Sequence, residues 1–350
     1  MIEHTTEVRE AHRFDETALT RYLAGHVPAI RTPIRVRQFR GGQSNPTFLL
    51  LDADDRAFVL RKKPPGPILA SAHQVEREHR VMQALAGSEV AVPHMHILCE
   101  DAGVIGTPFF VMDAVAGRVF RNPALPEVAT EDRRPVYLAM ADTLAALHQV
   151  DWRGAGLEGY GRPADYFRRQ VSRWAGQLDK SGTDDASVMG RLVAWLEANV
   201  PADEPATIVH GDYRLENLVF ADGAPQVLAV LDWELSTLGH PLADLAYNCL
   251  PYHLPSRLKG LGGIADLDLP ALGIPGEEEY VDAYRARVGR PPIESWNFYL
   301  AFSLFRTAAI LQGVYARALQ NNASSADALE VGGNAGEVAE IALATALGKH

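Results

Sequence analysis

The sequence predicts an α+β chain in two parts, a small strand-rich part over residues 1–115 and a larger, mainly helical part over residues 116–350. Three observations carry this reading. Between residues 33 and 115, short runs rich in Val, Ile, Leu and Phe alternate with turn residues, and one helical pattern lies among them. From residue 118 onward the apolar residues fall mostly at helical spacing. Within that helical part, residues 208–232 break the pattern: short apolar runs flank a polar turn, and a return strand ends in a carboxylate.

The elements follow in order. Residues 14–30 form a short helix, with Asp15 near its cap and Pro28 after its end. Residues 34–39 and 47–51 read as strands joined by Arg40-Gly41-Gly42-Gln43-Ser44-Asn45. Two glycines between strands let backbone N–H groups approach a phosphate, and the same pattern also makes an ordinary tight turn. Along the strand at 57–62 the side chains alternate, with Phe58, Leu60 and Lys62 on one face and Ala57, Val59 and Arg61 on the other. Pro64-Pro65-Gly66-Pro67 is a stiff loop. A helix opens at residues 71–74 and runs toward Gly87. Val75, Glu78, Met82 and Leu85 share its apolar stripe, and Glu76, Arg80 and Gln83 lie on the polar side, so Glu78 is an inward carboxylate. Residues 108–112 read as a buried strand running into a turn that ends at Gly117.

In the helical part, residues 136–149 form an amphipathic helix with Met140, Leu144 and Leu147 inward. Residues 163–199 make two helices joined by a loop at 180–185, and the first carries Arg168, Arg169 and Arg173 close after Arg162. Residues 208–209, 218–220 and 227–231 read as short strands, with Ala221-Asp222-Gly223 in a turn, so the last pair forms a hairpin that returns Asp232 beside Asn217. A helix begins in residues 239–247, where Asp244 suits the first turn. Residues 291–319 supply one or two long helices, 321–325 a loop, and 335–347 a final helix.

Composition sets outer bounds. The chain has 350 residues, 47% hydrophobic and 22% charged, as for a soluble globular protein of two lobes. Cys99 and Cys249 give no disulfide framework and no zinc set, and the polar residues 1–13 carry no secretory signal. No apolar run reaches the ~18 residues of a membrane span. The expectation is a cytoplasmic protein with no membrane partner. The formal charge of −11 argues against nucleic acid as a generic partner.

His210-Gly211-Asp212-Tyr213-Arg214-Leu215-Glu216-Asn217, followed by Leu231-Asp232-Trp233-Glu234, resembles the aminoglycoside phosphotransferase and choline kinase superfamily, distant relatives of protein kinases. Protein kinases carry H-R-D and D-F-G at the matching places. Gly211 and Glu234 point to the small-molecule branch. The resemblance implies a two-lobed protein-kinase-like fold and transfer of the γ-phosphoryl group of ATP to a hydroxyl. Asp212 is then the base, with Asn217 and Asp232 holding Mg²⁺. It assigns Gly41, Gly42, Gln43, Ser44 and Asn45 to the phosphates. Arg61 takes the place of the usual Lys, because its face of small residues suits a nucleotide, with Lys62 as the alternative. Glu78 pairs with Arg61. Met112 lines the adenine pocket, with the Asp113 carbonyl and the Val115 N–H at the adenine edge. Asp244 braces the catalytic loop and His210 is a packed core residue.

Further stretches, 60–66, 231–239 and 304–315, resemble the kinase-like proteins associated with acyl-CoA dehydrogenases. This implies a 4-hydroxyacyl-CoA as acceptor and an acyl-CoA dehydrogenase as functional partner, since phosphate leaves more readily than hydroxide. Arg162, Arg168, Arg169 and Arg173 then become candidate contacts to the CoA phosphates, against the plainer reading of a solvated face. An aminoglycoside kinase is the alternative, or a kinase of another small alcohol such as choline or homoserine. Aminoglycosides are polycations, and residues 342–350 offer no carboxylate side chain. A nucleotide-binding module without catalysis is a third reading, against which Asp212, Asn217 and Asp232 weigh together.

Overall fold

The computed structural model describes residues 4–40, 45–64, 74–180, 187–320 and 327–349. The strand-rich part is one antiparallel sheet. Its strands are β1 (Thr5–Thr6), β2 (Arg35–Phe39), β3 (Thr47–Leu51), β4 (Ala57–Lys62), β5 (Met95–Cys99) and β6 (Phe109–Asp113), in the spatial order β1-β2-β3-β4-β6-β5. In register, Val59 lies opposite Leu49 and Met112, and Arg61 opposite Thr47 and Phe110.

Alternation gives the sheet two apolar faces. One face, with Phe48, Leu50, Phe58 and Leu60, packs on Leu19 and Leu23 of helix α1 (Glu16–His26) and on Ile105 of the short helix α3 (Ala102–Ile105). Between these in sequence, helix α2 (Val75–Leu85) covers the other face with Val75, Met82 and Leu85. That inner core, which includes Val59, Phe110 and Met112, continues without a break into the helical part. The structure is therefore two-lobed, with a small β-rich lobe and a larger helical lobe of the protein-kinase type.

The larger lobe contains α4 (Thr130–Gln149), α5 (Tyr166–Lys180), α6 (Val188–Ala198), α7 (Leu242–Asn248), α8 (Leu269–Leu272), α9 (Glu277–Val288), α10 (Trp296–Leu319), α11 (Ala328–Gly333) and α12 (Ala335–Ala346). Helix α10 is its spine, packed against α5, α6, α7, α11 and α12, while α4 packs against α9. Four short strands sit at the front. β7 (Thr207–Val209) pairs with β10 (Thr237–Gly239), and β8 (Leu218–Phe220) pairs with β9 (Val227–Val230). Arg118, just past the turn that follows β6, exchanges two backbone hydrogen bonds with Phe220 of β8. Gly117 permits this approach, since a Cβ there would meet the Phe220 carbonyl oxygen at 2.3 Å.

Several expectations are corrected. The first helix is shorter than residues 14–30, although Asp15 does cap it, accepting from the Thr17 and Ala18 N–H groups. Helix α4 begins six residues before 136 and runs through Pro135, its sixth residue, which cannot donate the usual helical hydrogen bond to the Glu131 carbonyl; Glu131 and Asp132 favour the N-terminus ahead of it. Residues 291–319 yield a single helix that starts at Trp296. Helix α9 escaped the periodicity reading because only Tyr280 and Tyr284 are buried along it. Residues 71–73 and the loops at 181–185 and 321–325 lie outside the described residues.

Candidate active site

The polar turn after β7 is held from below by one buried acid. Asp244, in the first turn of α7 and 1% exposed, accepts hydrogen bonds from the His210 N–H at 2.6 Å and the Gly211 N–H at 2.8 Å. Its Oδ2 also lies 3.4 Å from His148 Nε2. Burial opposes ionisation of Asp244, yet these donors keep its carboxyl below the usual carboxylate range. His210 is fully buried and spends both ring nitrogens on backbone: Nε2–H donates to the Leu231 carbonyl at 2.9 Å, and Nδ1 accepts from the Asp212 N–H at 3.2 Å. It is a packed core residue, as the family resemblance implied. Gly211 is required here. Its φ is +84°, and a Cβ would meet the Leu235 carbonyl oxygen at 2.6 Å.

This loop presents Asp212 with its side chain 24% exposed. Oδ1 accepts from the Tyr247 phenol at 2.6 Å, and Oδ2 from Asn217 Nδ2 at 3.1 Å. Asn217 Nδ2 also lies 2.9 Å from the Asp212 carbonyl oxygen, so the amide is oriented twice. Asn217 ends a short 3₁₀ turn, Leu215–Asn217, that runs directly into β8. Its own carbonyl oxygen accepts from the Leu231 N–H at 2.8 Å, and this is how the hairpin brings Asp232 alongside. Asp232 sits in the left-handed region at φ 63°, at the start of the 3₁₀ turn Trp233–Leu235. Asp tolerates that conformation better than most residues. The turn is anchored by Trp233, fully buried, whose Nε1–H donates to the Val230 carbonyl.

From the small lobe, Arg61 reaches the same point. Its Nη2 donates to Asp232 Oδ1 at 2.8 Å and to Glu234 Oε2 at 3.2 Å, while Nε lies 3.1 Å from Glu78 Oε2. Glu78, 1% exposed, also accepts from Asn45 Nδ2 at 2.8 Å. Burial pushes the Glu78 carboxyl up to about 8; the Arg61 guanidinium works against this and the Asp232 and Glu234 charges add to it. Lys62 lies on the opposite sheet face, 2% exposed, with Nζ 5.3 Å from the Phe14 ring and 5.9 Å from the Phe48 ring. Of the two basic residues, only Arg61 is brought into this cluster.

Gly41, Gly42, Gln43 and Ser44 lie outside the described residues. Met112 is in the inner core, and the Asp113 carboxylate takes His96 Nε2 at 2.7 Å. Val115 is half-buried in the turn between the lobes. A cavity of about 410 Å³ opens beside the loop and is lined by Arg214, Leu215, Glu216 and Tyr247. Apolar side chains from α4 and from residues 250–267, among them Met140, Leu254 and Leu261, form much of its wall, with Arg121 and Lys259 also lining it. None of Arg162, Arg168, Arg169 and Arg173 lines this cavity. Arg168 lines a separate cleft with Asp203 and His240, and Arg169 donates to the Arg162 carbonyl. Tyr247 and Arg306 were missed. Tyr247 stands three residues after Asp244 on a helix, a spacing that puts the two side by side.

The residues fit a divalent cation. Asn217 Nδ2 is spent on Asp212, which leaves its amide oxygen, and Asp232 keeps Oδ2 beyond its contact with Arg61. Two protein oxygens plus phosphate oxygens are the usual manner of Mg²⁺ binding. Among the described residues no three His, Cys, Asp or Glu side chains converge on a metal-sized site. No helix among them is long and apolar enough to cross a membrane.

Comparison with known proteins now bears on this geometry. Residues 35–274 match the phosphotransferase enzyme family. The chain is 46% identical over 342 residues to acyl-CoA dehydrogenase family member 10 of Mus musculus, covering 97% of this chain and 32% of that protein. It is 47% identical over 328 residues to acyl-CoA dehydrogenase family member 11 of Gallus gallus, covering 92% of this chain and 42% of that protein. The chain thus spans less than half the length of these curated relatives. A crystal structure from Ralstonia eutropha JMP134, provisionally named an aminoglycoside phosphotransferase, is 45% identical with a TM-score of 0.87, covering 96% of this chain and 99% of that one. A ternary complex of aminoglycoside phosphotransferase APH(4)-Ia with AMP-PNP and hygromycin B shares the fold at 16% identity and a TM-score of 0.57, covering 93% and 98%.

Proposed function

This chain belongs to the phosphotransferase enzyme family, and we propose that it transfers the γ-phosphoryl group of ATP to the hydroxyl of a hydroxyacyl-CoA. Small-molecule phosphotransfer follows from the family; the acceptor, the Mg²⁺ and the residue roles are our reading. Residues 1–115 supply the nucleotide side of the cleft and residues 116–350 the acceptor side. Arg61, held by Glu78, faces the phosphates, and residues 41–45 are assigned to them by the family resemblance alone. Met112, the Asp113 carbonyl and the Val115 N–H border the adenine. Asn217 and Asp232 would hold Mg²⁺, which when bound offsets the triphosphate charge. Asp212 is the base that gains a proton as the acceptor oxygen bonds to the γ-phosphorus and ADP departs.

One observation carries the acceptor class. The cavity beside Asp212 is lined by Arg121, Arg214 and Lys259 against a single acid, Glu216, in a chain whose formal charge is −11. Glu216 is ion-paired with Arg214 at 2.5 Å and Lys259 with Glu330 at 2.7 Å, so the lining keeps an excess of one positive charge, at Arg121. A polycationic antibiotic would meet cations there, whereas a ligand with an apolar chain and anionic phosphates matches the lining. The names of the relatives agree with an acyl-CoA. An acyl-CoA dehydrogenase is the corresponding functional partner, and the buried, unpaired Cys99 and Cys249 are compatible with a reducing cytoplasm.

The test is product mass after incubation with ATP and Mg²⁺ against hydroxyacyl-CoAs, free hydroxy acids, choline, homoserine and aminoglycosides. Phosphorylated CoA ester is the expected product. Equal turnover of the free acid, or efficient phosphorylation of an aminoglycoside, overturns the CoA reading and leaves the family assignment in place.

A further inference from the structure

The acceptor cavity and the candidate base are joined by a side chain that the roles above leave unused. Tyr247 lines the cavity, and Asp212 is not among its lining residues. The Tyr247 phenol donates to Asp212 Oδ1 at 2.6 Å. Phenol and carboxylate are held by the same short helix, because Asp244, three residues earlier, fixes the loop through the His210 and Gly211 N–H groups. Arg306 of α10 closes the arrangement from the other side. Its guanidinium lies 5.4 Å from the Tyr247 ring centre, and its Nη2 donates to the Gly211 carbonyl at 2.8 Å. The phenol has one proton, committed to Asp212, and its oxygen still has lone-pair capacity to accept.

We infer that Tyr247 is the group that the acceptor hydroxyl meets in the cavity, and that it passes the hydroxyl proton to Asp212. The phenol oxygen accepts a hydrogen bond from the acceptor while donating to Oδ1. During transfer the acceptor's proton moves to the phenol oxygen as the phenol's own proton moves to Asp212. The acceptor oxygen bonds to the γ-phosphorus, and the bond from that phosphorus to the β–γ bridging oxygen breaks, its electron pair leaving with ADP. Tyr247 ends neutral, as it began. This rests on the reading that the cavity holds the acceptor.

Tyr247→Phe removes one oxygen and keeps the ring under Arg306. Both transfer and basal ATP hydrolysis, in which water is the acceptor, should lose about 10²-fold in kcat, at the lower end of what a positioned proton-transfer group contributes. ATP affinity and unfolding temperature should stay near wild type. A second readout isolates the contact. Wild type should bind a 4-hydroxyacyl-CoA roughly fivefold more tightly than the acyl-CoA of the same length lacking the hydroxyl, as one net hydrogen bond allows, and the variant should bind the two alike. A hydroxyl preference that persists in Tyr247→Phe overturns the proposal, as does wild-type hydrolysis. If wild type binds neither ester, the acyl-CoA reading fails on its own and hydrolysis still decides the role of Tyr247.

Discussion

Replacing Asp244 by Ala should destabilise the protein and disable the loop without touching any reacting group. The carboxylate is 1% exposed and receives two backbone donors, His210 N–H at 2.6 Å and Gly211 N–H at 2.8 Å, with His148 Nε2 at 3.4 Å. An abandoned buried donor costs about 1–3 kcal/mol, and two such donors together cost about 3–4 kcal/mol if some water enters the space. Urea unfolding reads this as a lower midpoint at an unchanged slope. Asn at this position keeps one acceptor and should lose about half as much. The pH dependence has a fixed sign. The folded-state carboxyl titrates below its usual range, so its contribution is present above the unfolded pKa and is lost as pH falls through the folded one. The difference between wild type and Asp244→Ala should therefore shrink on acidification. Turnover should fall more than ATP affinity, because Gly211 and Asp212 lose their support. A loss below about 1 kcal/mol would refute the claim that this acid fixes the loop.

Four further outcomes follow from the same geometry. Asp212→Asn should lower phosphoryl transfer by about 10²–10⁴-fold while calorimetric titration finds ATP affinity nearly unchanged. Asp232→Ala should remove much of the Mg²⁺ dependence of ATP binding, measured by titration with and without the cation. Arg121→Gln and Lys259→Gln should each raise KM for a hydroxyacyl-CoA about fivefold with KM for ATP unchanged, whereas Arg168→Gln should alter neither. In nucleotide-free protein, Glu78 titrates at about 8, above an unperturbed carboxyl, so its contribution is full below the unfolded pKa and is lost as pH rises toward 8. Wild type should therefore lose stability relative to Glu78→Gln between about pH 5 and pH 8, and unfolding midpoints across that range check it.

What the sequence made legible was local. The turn at 210–217 and the hairpin that follows are contiguous, so spacing alone puts Asp212, Asn217 and Asp232 in one place. Alternation along β4 separated Arg61 from Lys62, and helical spacing turned Glu78 inward; the structure keeps both orientations. Contacts made by tertiary packing were not legible. Arg306 touches the loop from a helix 95 residues away, and no local pattern marks it. Arg162, Arg168, Arg169 and Arg173 stand out because their charges cluster in sequence, on α5 and just before it. The cavity draws its cations from three separate segments, at 121, 214 and 259, which only the fold brings together. Helix α9 was missed for a related reason: a two-residue buried stripe is too narrow to stand out from a polar sequence.

The choice of Arg at position 61 follows from what surrounds it. Glu78, Asp232 and Glu234 all lie within 3.2 Å of its guanidinium, so three acids face one cation. A Lys has a single nitrogen and would have to crowd all three acids around one point. The Arg fork divides them, with Nε toward the small-lobe helix and Nη2 toward the hairpin of the large lobe. Arg61 therefore ties α2 to the end of β9 across the cleft. With every group ionised the four side chains carry a formal −2, the three acids against one Arg, and they do so where the phosphates would bind. A divalent cation offsets that charge, while protonation of Glu78 relieves part of it in nucleotide-free protein. Arg61→Lys should then weaken ATP binding and also loosen the contact between lobes, an outcome that a residue acting on phosphate alone would not give. Increased protease sensitivity of the interlobe turn in nucleotide-free Arg61→Lys measures the second effect, and wild-type resistance would confine Arg61 to the phosphates.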